Sequence, residues 1–304
     1  MGSPSRTIIY VALAANLLIS ATKFVAAFVT GSSAILAEGI HSLVDTSNEV
    51  LLLYGRRQAK LPPDEQFPFG HGKEVYFWSF VVAILVFAVG SGLSIYEGIE
   101  HLLHPRQIIH PYVNYIVLGL AVLFEGSSWN IARRELARTK GTRGYLEAIR
   151  RAKDPSVFVV FLEDSAALIG LGVAFIGILL SQLSSIYYFD ALASVIIGLI
   201  LGITASFLAA ETKSLLIGES ANKEVVQGIR EIASLTAGIE HVNEILTMHM
   251  GPDFILVNLS VEFADSASAD DIEVIIGRMD RRIKQDYPKV KRVFVEAEAW
   301  RSHK

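Results

Sequence analysis

The residues best suited to chemistry lie in one apolar stretch near the start of the chain, between Ala37 and Glu49. At about 100° per residue, a helix here places Glu38, Asp45 and Glu49 on one line. His41 lies beside that line, one helical turn before Asp45, so one helix can offer a nitrogen and an oxygen to a single cation. We therefore expect His41 and Asp45 to form half of a metal site.

A second polar pair, Glu163 and Asp164, interrupts a later apolar stretch. Adjacent carboxylates inside a membrane are costly unless each is paired, protonated or bound to metal. With His41 and Asp45 they would complete a four-ligand site, whose donors are nitrogen and oxygen because the chain has no cysteine. Such donors suit Zn²⁺, and Fe²⁺, Mn²⁺, Co²⁺ and Ni²⁺ remain alternatives.

The composition is that of a membrane protein. Of 304 residues, 52% are hydrophobic and 19% are charged, and the mean hydropathy is +0.43. These values lie well above the usual balance of a soluble domain. The net charge of −4 provides no excess of Lys and Arg for a phosphate-binding surface, so we expect no nucleic-acid partner.

Apolar windows long enough to cross about 30 Å of hydrocarbon predict an α-helical membrane bundle of six transmembrane helices. The windows are 7–30, 34–55, 76–99, 111–131, 156–180 and 186–210. Lys and Arg concentrate in the connectors after the second and fourth windows. Because positive loops stay in the cytoplasm, we expect a multi-pass protein with both termini cytoplasmic, in a bacterial inner membrane.

After residue 210 the sequence is typical of a soluble domain. Helical and strand patterns alternate in the order α-β-β-α-β, and they cover Asn222–Ala237, Val242–Met250, Phe254–Phe263, Ala267–Tyr287 and Val290–Ala297. This order predicts a small α+β domain of ferredoxin-like or metallochaperone-like type. We divide the chain into a six-helix transmembrane domain, 1–210, and a cytoplasmic domain, 211–304, which is small and would be more stable when paired with a second copy.

Several motifs occur together in the chain: Ala37–Asp45, Phe69–Glu74, Asp164, Asp190–Ser194 and the αββαβ tail. With these motifs the sequence resembles the cation diffusion facilitator family of zinc-type divalent-metal/proton antiporters over nearly its whole length. The resemblance implies a homodimer that exchanges cytoplasmic metal for protons by alternating access. It also implies that His41, Asp45 and Asp164 are metal ligands, in a site between the second and fifth helices.

One position departs from the family pattern. The family usually has His or Asp four residues before the fifth-helix Asp, where this chain has Val160. Glu163 is rotated by about 100° from Asp164, so both reach one ion only if the helix faces the ion between them. The fourth ligand is therefore either Glu163 or water.

Two other charged residues have two interpretations each. Asp190 either caps the start of a helix or carries protons. Lys23 either pairs with Glu125 inside the bundle or extends to a membrane interface.

Two regions outside the predicted membrane helices are also candidates for metal binding. The loop with Asp64 and His71 has Phe67 where some relatives place a second His, which favours a structural loop. In the tail, the positions that correspond to a zinc site in some relatives contain no imidazole, so we expect a dimerisation module there. Those positions are Asn243, Asn258, Glu296 and Glu298.

Other function classes fit the sequence less well. An intramembrane metal-dependent hydrolase needs a His-Glu-x-x-His type of helix, which the sequence lacks. A channel needs a continuous polar pore, whereas only the second window has a strong polar stripe. The sequence thus predicts a transporter and no enzyme, with Zn²⁺ as cargo and protons as counter-ion. The first alternative is a Mn²⁺-, Fe²⁺- or Co²⁺-preferring transporter of the same family. The second, which fits the sequence less well, is the intramembrane hydrolase.

Overall fold

The computed structural model describes residues 6–142, 144–184 and 186–299. Within these ranges the chain forms ten α-helices, one π-helical segment and three strands. The helices are α1 (Arg6–Thr30), α2 (Ser33–Gln58), α3 (Glu74–Leu85), α4 (Gly92–Leu103), α5 (Pro111–Lys140), α6 (Tyr145–Arg151), α7 (Pro155–Ser184), α8 (Tyr188–Ile217), α9 (Lys223–Ser234) and α10 (Ala269–Asp286). The π-helical segment, Val86–Ser91, joins α3 to α4, and the strands are β1 (Ile239–Gly251), β2 (Phe254–Phe263) and β3 (Val290–Ala297).

The chain divides into two compact units. The helical unit contains the residues up to Arg57 together with Phe77–Lys213. The sheet unit contains Gln58–Tyr76 and the residues from Ser214 onward. The segment that follows α2 is therefore part of the same compact unit as the C-terminal strands.

Four helical stretches in the described part of the chain are long and apolar enough to cross a membrane: Glu74–Leu103, Pro111–Arg138, Phe158–Ser184 and Tyr188–Ile217. They correspond to the third to sixth predicted windows. In α1 the apolar stretch within the described side chains, Asn16–Thr30, is shorter than the length that the test requires. The polar stripe of α2 lowers its hydropathy, so α2 does not meet the test. The helical bundle is confirmed, and four of its six predicted spans pass by length and composition.

The turn between α1 and α2 is fixed by a glycine and by a distant carboxylate. Gly31 has φ 72°, a left-handed conformation that favours glycine, directly after Thr30 ends α1. At the start of α2, Asp190 accepts hydrogen bonds from the Ser33 backbone N–H (2.6 Å) and the Ser32 hydroxyl (2.6 Å). Asp190 is therefore a helix cap, as one interpretation of the sequence had it, but it caps α2 from its position on α8.

Close backbone contact between α4 and α8 depends on two glycines. A Cβ on Gly98 would lie 2.8 Å from the backbone nitrogen of Val195, and a Cβ on Gly198 would lie 2.9 Å from that of Ile95. Real side chains do not fit at these distances. Glycine at both crossings lets the two helices approach more closely than larger residues would allow, which is a common way of packing helices in membranes.

The sheet unit has the predicted order α-β-β-α-β. β1 pairs antiparallel with β2, and β2 pairs parallel with β3 after the crossover through α10, giving the strand order β1-β2-β3. β2 is the central strand and contributes more buried core residues than either of the other strands. The core of this unit is apolar and includes Ile229, Ala233, Val257, Leu259, Val261, Met279 and Ile283.

Part of the segment Gln58–Tyr76 packs on the strands of the sheet unit. The ring of Phe69 meets that of Phe294 edge-on, with 6.5 Å between centroids. The Lys73 ammonium donates to the Leu216 carbonyl at 3.4 Å. At Gly72 the backbone lies so close to the Met250 carbonyl that no side chain would fit. The glycine-rich Phe69–Glu74 motif therefore makes a close backbone contact within this unit.

Candidate metal site

The polar stripe of α2 holds the first predicted ligand pair. Nδ1 of His41 lies 3.3 Å from Oδ1 of Asp45, and the two side chains are 1% and 18% exposed. Neither ring nitrogen of His41 has a hydrogen-bond partner within the described ranges, and Oδ1 of Asp45 also lacks one. Burying polar atoms without partners is costly. These atoms are therefore available to a ligand.

Neutral donors from two other helices orient the carboxylates of α7. Asn48 on α2 donates to Oε1 of Glu163 at 2.7 Å, and Ser128 on α5 donates to Oδ2 of Asp164 at 2.7 Å. Both acidic side chains are buried. An amide or a hydroxyl fixes the geometry of a carboxylate without cancelling its charge, so both groups still favour a nearby cation.

A small cavity lies where these helices meet. Its volume of about 40 Å³ is enough for a metal ion with a water ligand, because a single water needs about 10–15 Å³ of such space. Its acidic lining consists of Asp45, Glu49, Glu125, Glu163 and Asp164. Among the residues whose side chains are described, no Lys, Arg or His lines it. The cavity is therefore strongly acidic.

The structure brings some of the predicted ligands together and not others. Asp45, Glu163 and Asp164 line one cavity, whereas His41 is outside its lining and approaches it only through its contact with Asp45. Within the described residues, no group of three or more His, Asp or Glu side chains has the geometry of a closed metal site. The ligand set stays a prediction. Val160 lines the cavity, at the position where the family pattern has a ligand.

Several polar residues at the site were given no role by the sequence analysis. Asn48 and Ser128 orient carboxylates, and Glu49 lines the cavity and accepts a hydrogen bond from Asn16 at 3.0 Å. Asn48 and Glu49 had a usable signal, since both lie on or beside the polar stripe of α2. Ser128 had none, because serine is common in membrane helices and its partner is 36 residues away.

Lys23 is buried among acceptors from two helices. Its ammonium lies 3.2 Å from Oε2 of Glu38, 2.6 Å from the Ser42 hydroxyl and 3.4 Å from Oε1 of Glu125. The interpretation of an internal pair with Glu125 is therefore the one observed, and Glu38 is the closer carboxylate. Buried charges persist when they are paired and hydrogen-bonded in this way.

The loop with Asp64 and His71 is closed by its own contacts. Asp64 accepts from the Phe67 backbone N–H at 2.6 Å and lies 3.0 Å from Nε2 of His71. These two hydrogen bonds, the Phe67 N–H first, lower the pKa of Asp64 below its usual range. The ring of Phe67 lies against that of His71, with 4.5 Å between centroids. Both oxygens of Asp64 are thus engaged within the loop, as in a structural turn.

In the sheet unit, two of the tail positions belong to a hydrogen-bond network. Asn243 donates to the Ser260 hydroxyl at 3.3 Å and to the Glu298 carbonyl at 2.9 Å. The Ser260 hydroxyl in turn donates to Oε2 of Glu298 at 2.9 Å. These contacts link β1, β2 and the end of β3, and they contain no imidazole.

Comparison with known proteins gives a consistent set of similarities. A family model described as "Cation efflux transmembrane domain" matches residues 9–217. The mouse protein "Proton-coupled zinc antiporter SLC30A9, mitochondrial" is 30% identical over 258 residues, which are 84% of this chain and 46% of that protein. "Metal tolerance protein C4" of Arabidopsis thaliana is 26% identical over 85% of this chain and 57% of its own length. This chain therefore spans about half the length of these two relatives.

A bacterial protein is similar over most of both chains. "Cation-efflux pump FieF" of Shigella boydii is 27% identical over 286 residues, which are 93% of this chain and 89% of the pump. The similarity therefore extends beyond the helical unit into the sheet unit.

Proposed function

Since this chain belongs to the cation efflux family, we propose that it carries a divalent metal ion, Zn²⁺ first, out of the cytoplasm in exchange for protons. The observation that carries this proposal is the acidic cavity between α2, α5 and α7. Buried carboxylates that converge on a space without a lining cation need either metal or protons for neutrality. The name of the mouse relative, a proton-coupled zinc antiporter, supports the choice of cargo and counter-ion.

We assign His41, Asp45 and Asp164 as metal ligands, with Glu163 or water as the fourth. Asp45 lines the same cavity as Glu163 and Asp164, so the carboxylates of α2 and α7 face one space. His41 is included because both of its ring nitrogens lack hydrogen-bond partners within the described ranges. Imidazole also favours Zn²⁺ more than carboxylate does.

Exchange for protons follows from the chemistry of these ligands. Metal binding requires a neutral His41 and ionised Asp45 and Asp164, so loading from the cytoplasm releases protons. Reprotonation from the other side then weakens metal binding and helps to release the ion. Rocking of the helices about a fixed site gives alternating access.

The proposed architecture has six membrane-spanning helices, with both termini in the cytoplasm. α1 has 25 residues and α2 has 26, so at about 1.5 Å per residue each exceeds the roughly 30 Å of hydrocarbon. α2 crosses with its polar stripe turned to the bundle interior, where Glu38, His41 and Asn48 are fully buried. The proposed location is a bacterial inner membrane, whereas the mouse relative is named as mitochondrial. Membrane fractionation decides between the two.

The proposed domains are a transport domain, 1–210, and a cytoplasmic dimerisation domain, 211–304. A three-stranded sheet with two helices is a small module, and pairing with a second copy would increase its buried surface. Crosslinking of the full-length protein in membranes tests the homodimer. A protein that remains monomeric at all concentrations would contradict it.

A specific observation favours a second cargo class. The donors that line the cavity are oxygen atoms, and Val160 occupies the position of a usual ligand. Carboxylate and water ligands discriminate less strongly for Zn²⁺, and they suit Mn²⁺ and Fe²⁺ as well. A Mn²⁺-, Fe²⁺- or Co²⁺-preferring transporter is therefore the alternative.

Uptake into proteoliposomes tests both cargo and coupling. Purified protein in sealed vesicles is expected to accumulate Zn²⁺ when a pH gradient drives protons the opposite way, with Mn²⁺, Fe²⁺ and Co²⁺ measured in parallel. The matched control is Asp164→Asn, which keeps the shape of the ligand but removes its charge. Metal flux that is independent of the gradient and carries a channel-like current would contradict the proposal.

A further inference from the structure

We propose that Lys23 occupies a second cation site in the helical unit, formed by Glu38, Glu125 and Ser42. Its ammonium group stands where a free metal ion would otherwise bind. The site follows from the contacts of Lys23 alone. Its consequence for transport, one divalent ion per protomer in the bundle, rests on the proposed function.

The contacts of Lys23 are those of a coordinated cation. The ammonium is 1% exposed and meets three oxygen atoms, at 2.6 Å from Ser42, 3.2 Å from Glu38 and 3.4 Å from Glu125. An ammonium group has three N–H donors, so each oxygen takes one of them. The oxygens come from two different helices, α2 and α5. A compact positive charge is thus enclosed by oxygen donors.

The charges around Lys23 do not cancel. Two carboxylates, Glu38 and Glu125, face a single ammonium, so the cluster has an excess negative charge when all three groups are ionised. Glu38 is fully buried, and its Oε1 has no hydrogen-bond partner in the described part of the chain. This oxygen lies against Gly170 of α7, where no Cβ would fit. One side of the cluster is therefore closed by backbone, and the cluster still favours more positive charge.

Glu125 connects this cluster to the metal cavity. It lines the cavity that contains Asp45 and Asp164, and it is the most distant of the three acceptors of Lys23. Ser42 is also shared, since it lines the same cavity. Lys23 therefore neutralises a carboxylate at the edge of the metal site without lining the cavity itself. Removing the ammonium would leave a buried carboxylate, a partly buried one and a hydroxyl beside a site for a divalent ion.

The donor chemistry defines the ion that would replace Lys23. Carboxylate and hydroxyl oxygens are hard donors, which suit Mn²⁺ and Mg²⁺, and no imidazole faces the ammonium within hydrogen-bond distance among the described residues. Mn²⁺ is the useful probe because free Mn²⁺ has a strong electron paramagnetic resonance signal that bound Mn²⁺ loses. The number of bound ions then follows from the loss of signal.

The test compares Mn²⁺ binding by the full-length protein and its variants in lipid nanodiscs. Lys23→Met removes the charge and keeps much of the side-chain volume, and we expect it to bind one more Mn²⁺ per protomer than the parent. Lys23→Arg keeps the charge and should show no gain. Adding Glu38→Gln to Lys23→Met removes a carboxylate of the site and should weaken the extra binding at least tenfold.

Each outcome decides the proposal. A folded Lys23→Met protein that binds no more Mn²⁺ than the parent overturns it, and so does a gain that survives both Glu38→Gln and Glu125→Gln. If Lys23→Met does not fold alone, recovery by Mn²⁺ during purification or by Glu38→Gln supports the site, and failure of both overturns it.

The number of bound Mn²⁺ ions is measured without any transport assay, so the two proposals can fail separately. An extra ion in a protein that moves no metal would contradict the proposed function and leave the Lys23 site standing. Proton-driven zinc transport by the parent, with no additional Mn²⁺ bound by Lys23→Met, would support the proposed function and contradict the Lys23 site.

Discussion

The acidic residues at the cavity of the helical unit and those on α10 of the sheet unit have opposite surroundings. In the helical unit Glu163 and Asp164 are buried, and neutral groups hold them, the amide of Asn48 and the hydroxyl of Ser128. On α10 of the sheet unit Asp280 pairs with Lys284 at 2.7 Å and lies near the surface. A surface pair contributes little to stability, whereas a buried carboxylate without a cation reduces it. The contrast indicates that the helical unit keeps costly charges for a ligand, while the sheet unit is built as a scaffold.

The substitutions with the largest expected effect remove one acidic charge at a time, first in the helical unit and then, as a control, in the sheet unit. Asp45→Ala or Asp164→Ala should reduce zinc transport by about 100-fold or more, because each loses an anionic group of the cavity, and Asp45→Asn should be nearly as severe. Uptake into proteoliposomes measures the effect, with size-exclusion chromatography as the check on folding. Asp280→Asn, the same chemical change at the surface, should leave transport unchanged. Near-normal flux in either cavity variant would refute the assignment of the site.

Introducing a metal-ligating side chain at position 160 should have the next largest effect. Val160→His adds an imidazole at the edge of the cavity, so zinc binding should tighten by about tenfold, or 1.4 kcal/mol, and tilt toward Zn²⁺ over Mn²⁺. Competition titration with both metals measures this change. If neither affinity nor selectivity changes, Val160 does not face the ion and the alignment of α7 with α2 is mistaken.

The fourth ligand is tested in the parent by Glu163→Gln. The amide keeps the size of the side chain and the contact with Asn48, but it loses the charge. We expect zinc affinity to fall by about tenfold if Glu163 is a ligand, which corresponds to 1.4 kcal/mol. A change of less than about twofold, well under 1 kcal/mol, would assign the fourth position to water.

In the sheet unit a smaller effect is expected at the start of α10. Ser268 and Asp271 form a reciprocal capping box, so Ser268→Ala should cost about 1 kcal/mol in urea unfolding of the isolated tail. Hydrogen bonds from the Ser268 hydroxyl and backbone lower the pKa of Asp271. Because the folded pKa lies below the unfolded one, this stabilisation is present above the unfolded value and is lost as the pH falls through the folded value. Asp271→Asn should therefore reduce the loss of stability below about pH 4.

The smallest expected effect is that of a chelator on the same isolated segment, from about Thr212 to Lys304. We expect it to be soluble, to fold without metal and to dimerise, because its core is apolar and the hydrogen bonds of Asn243 and Ser260 to Glu298 involve no imidazole. Sedimentation with and without chelator measures both properties. A segment that stays unfolded until zinc is added would show that the tail contains a metal site.

Local sequence signals predicted most of the fold. The length of the apolar windows gave the helices of the bundle, and alternation gave the three strands, because both patterns depend on residues close in sequence. The polar stripe of α2 marked Asp45 at the cavity for the same reason. It also left α2 too polar to pass as a span by hydropathy, since a helix that faces inward needs fewer apolar residues.

The features that the sequence did not reveal depend on distant contacts. Ser128 approaches Asp164 only when α5 packs against α7, and nothing in the local pattern of either helix indicates this pairing. Similarly, the segment Gln58–Tyr76 belongs to the sheet unit through contacts with residues near the other end of the chain, such as Phe294. The π-helical segment Val86–Ser91 lies in an apolar run whose periodicity gives no sign of it.

The cap of α2 has a consequence for the synthesis of the protein. Asp190 is 157 residues downstream of Ser33, the first residue of the helix that it caps. At about 5–20 residues per second, a ribosome makes α2 roughly 10–30 s before it makes Asp190. Through that interval the nascent helix has no partner on α8 for the Ser33 N–H. The hairpin of α1 and α2 therefore lacks this cap until α8, the last helix of the bundle, has been synthesised.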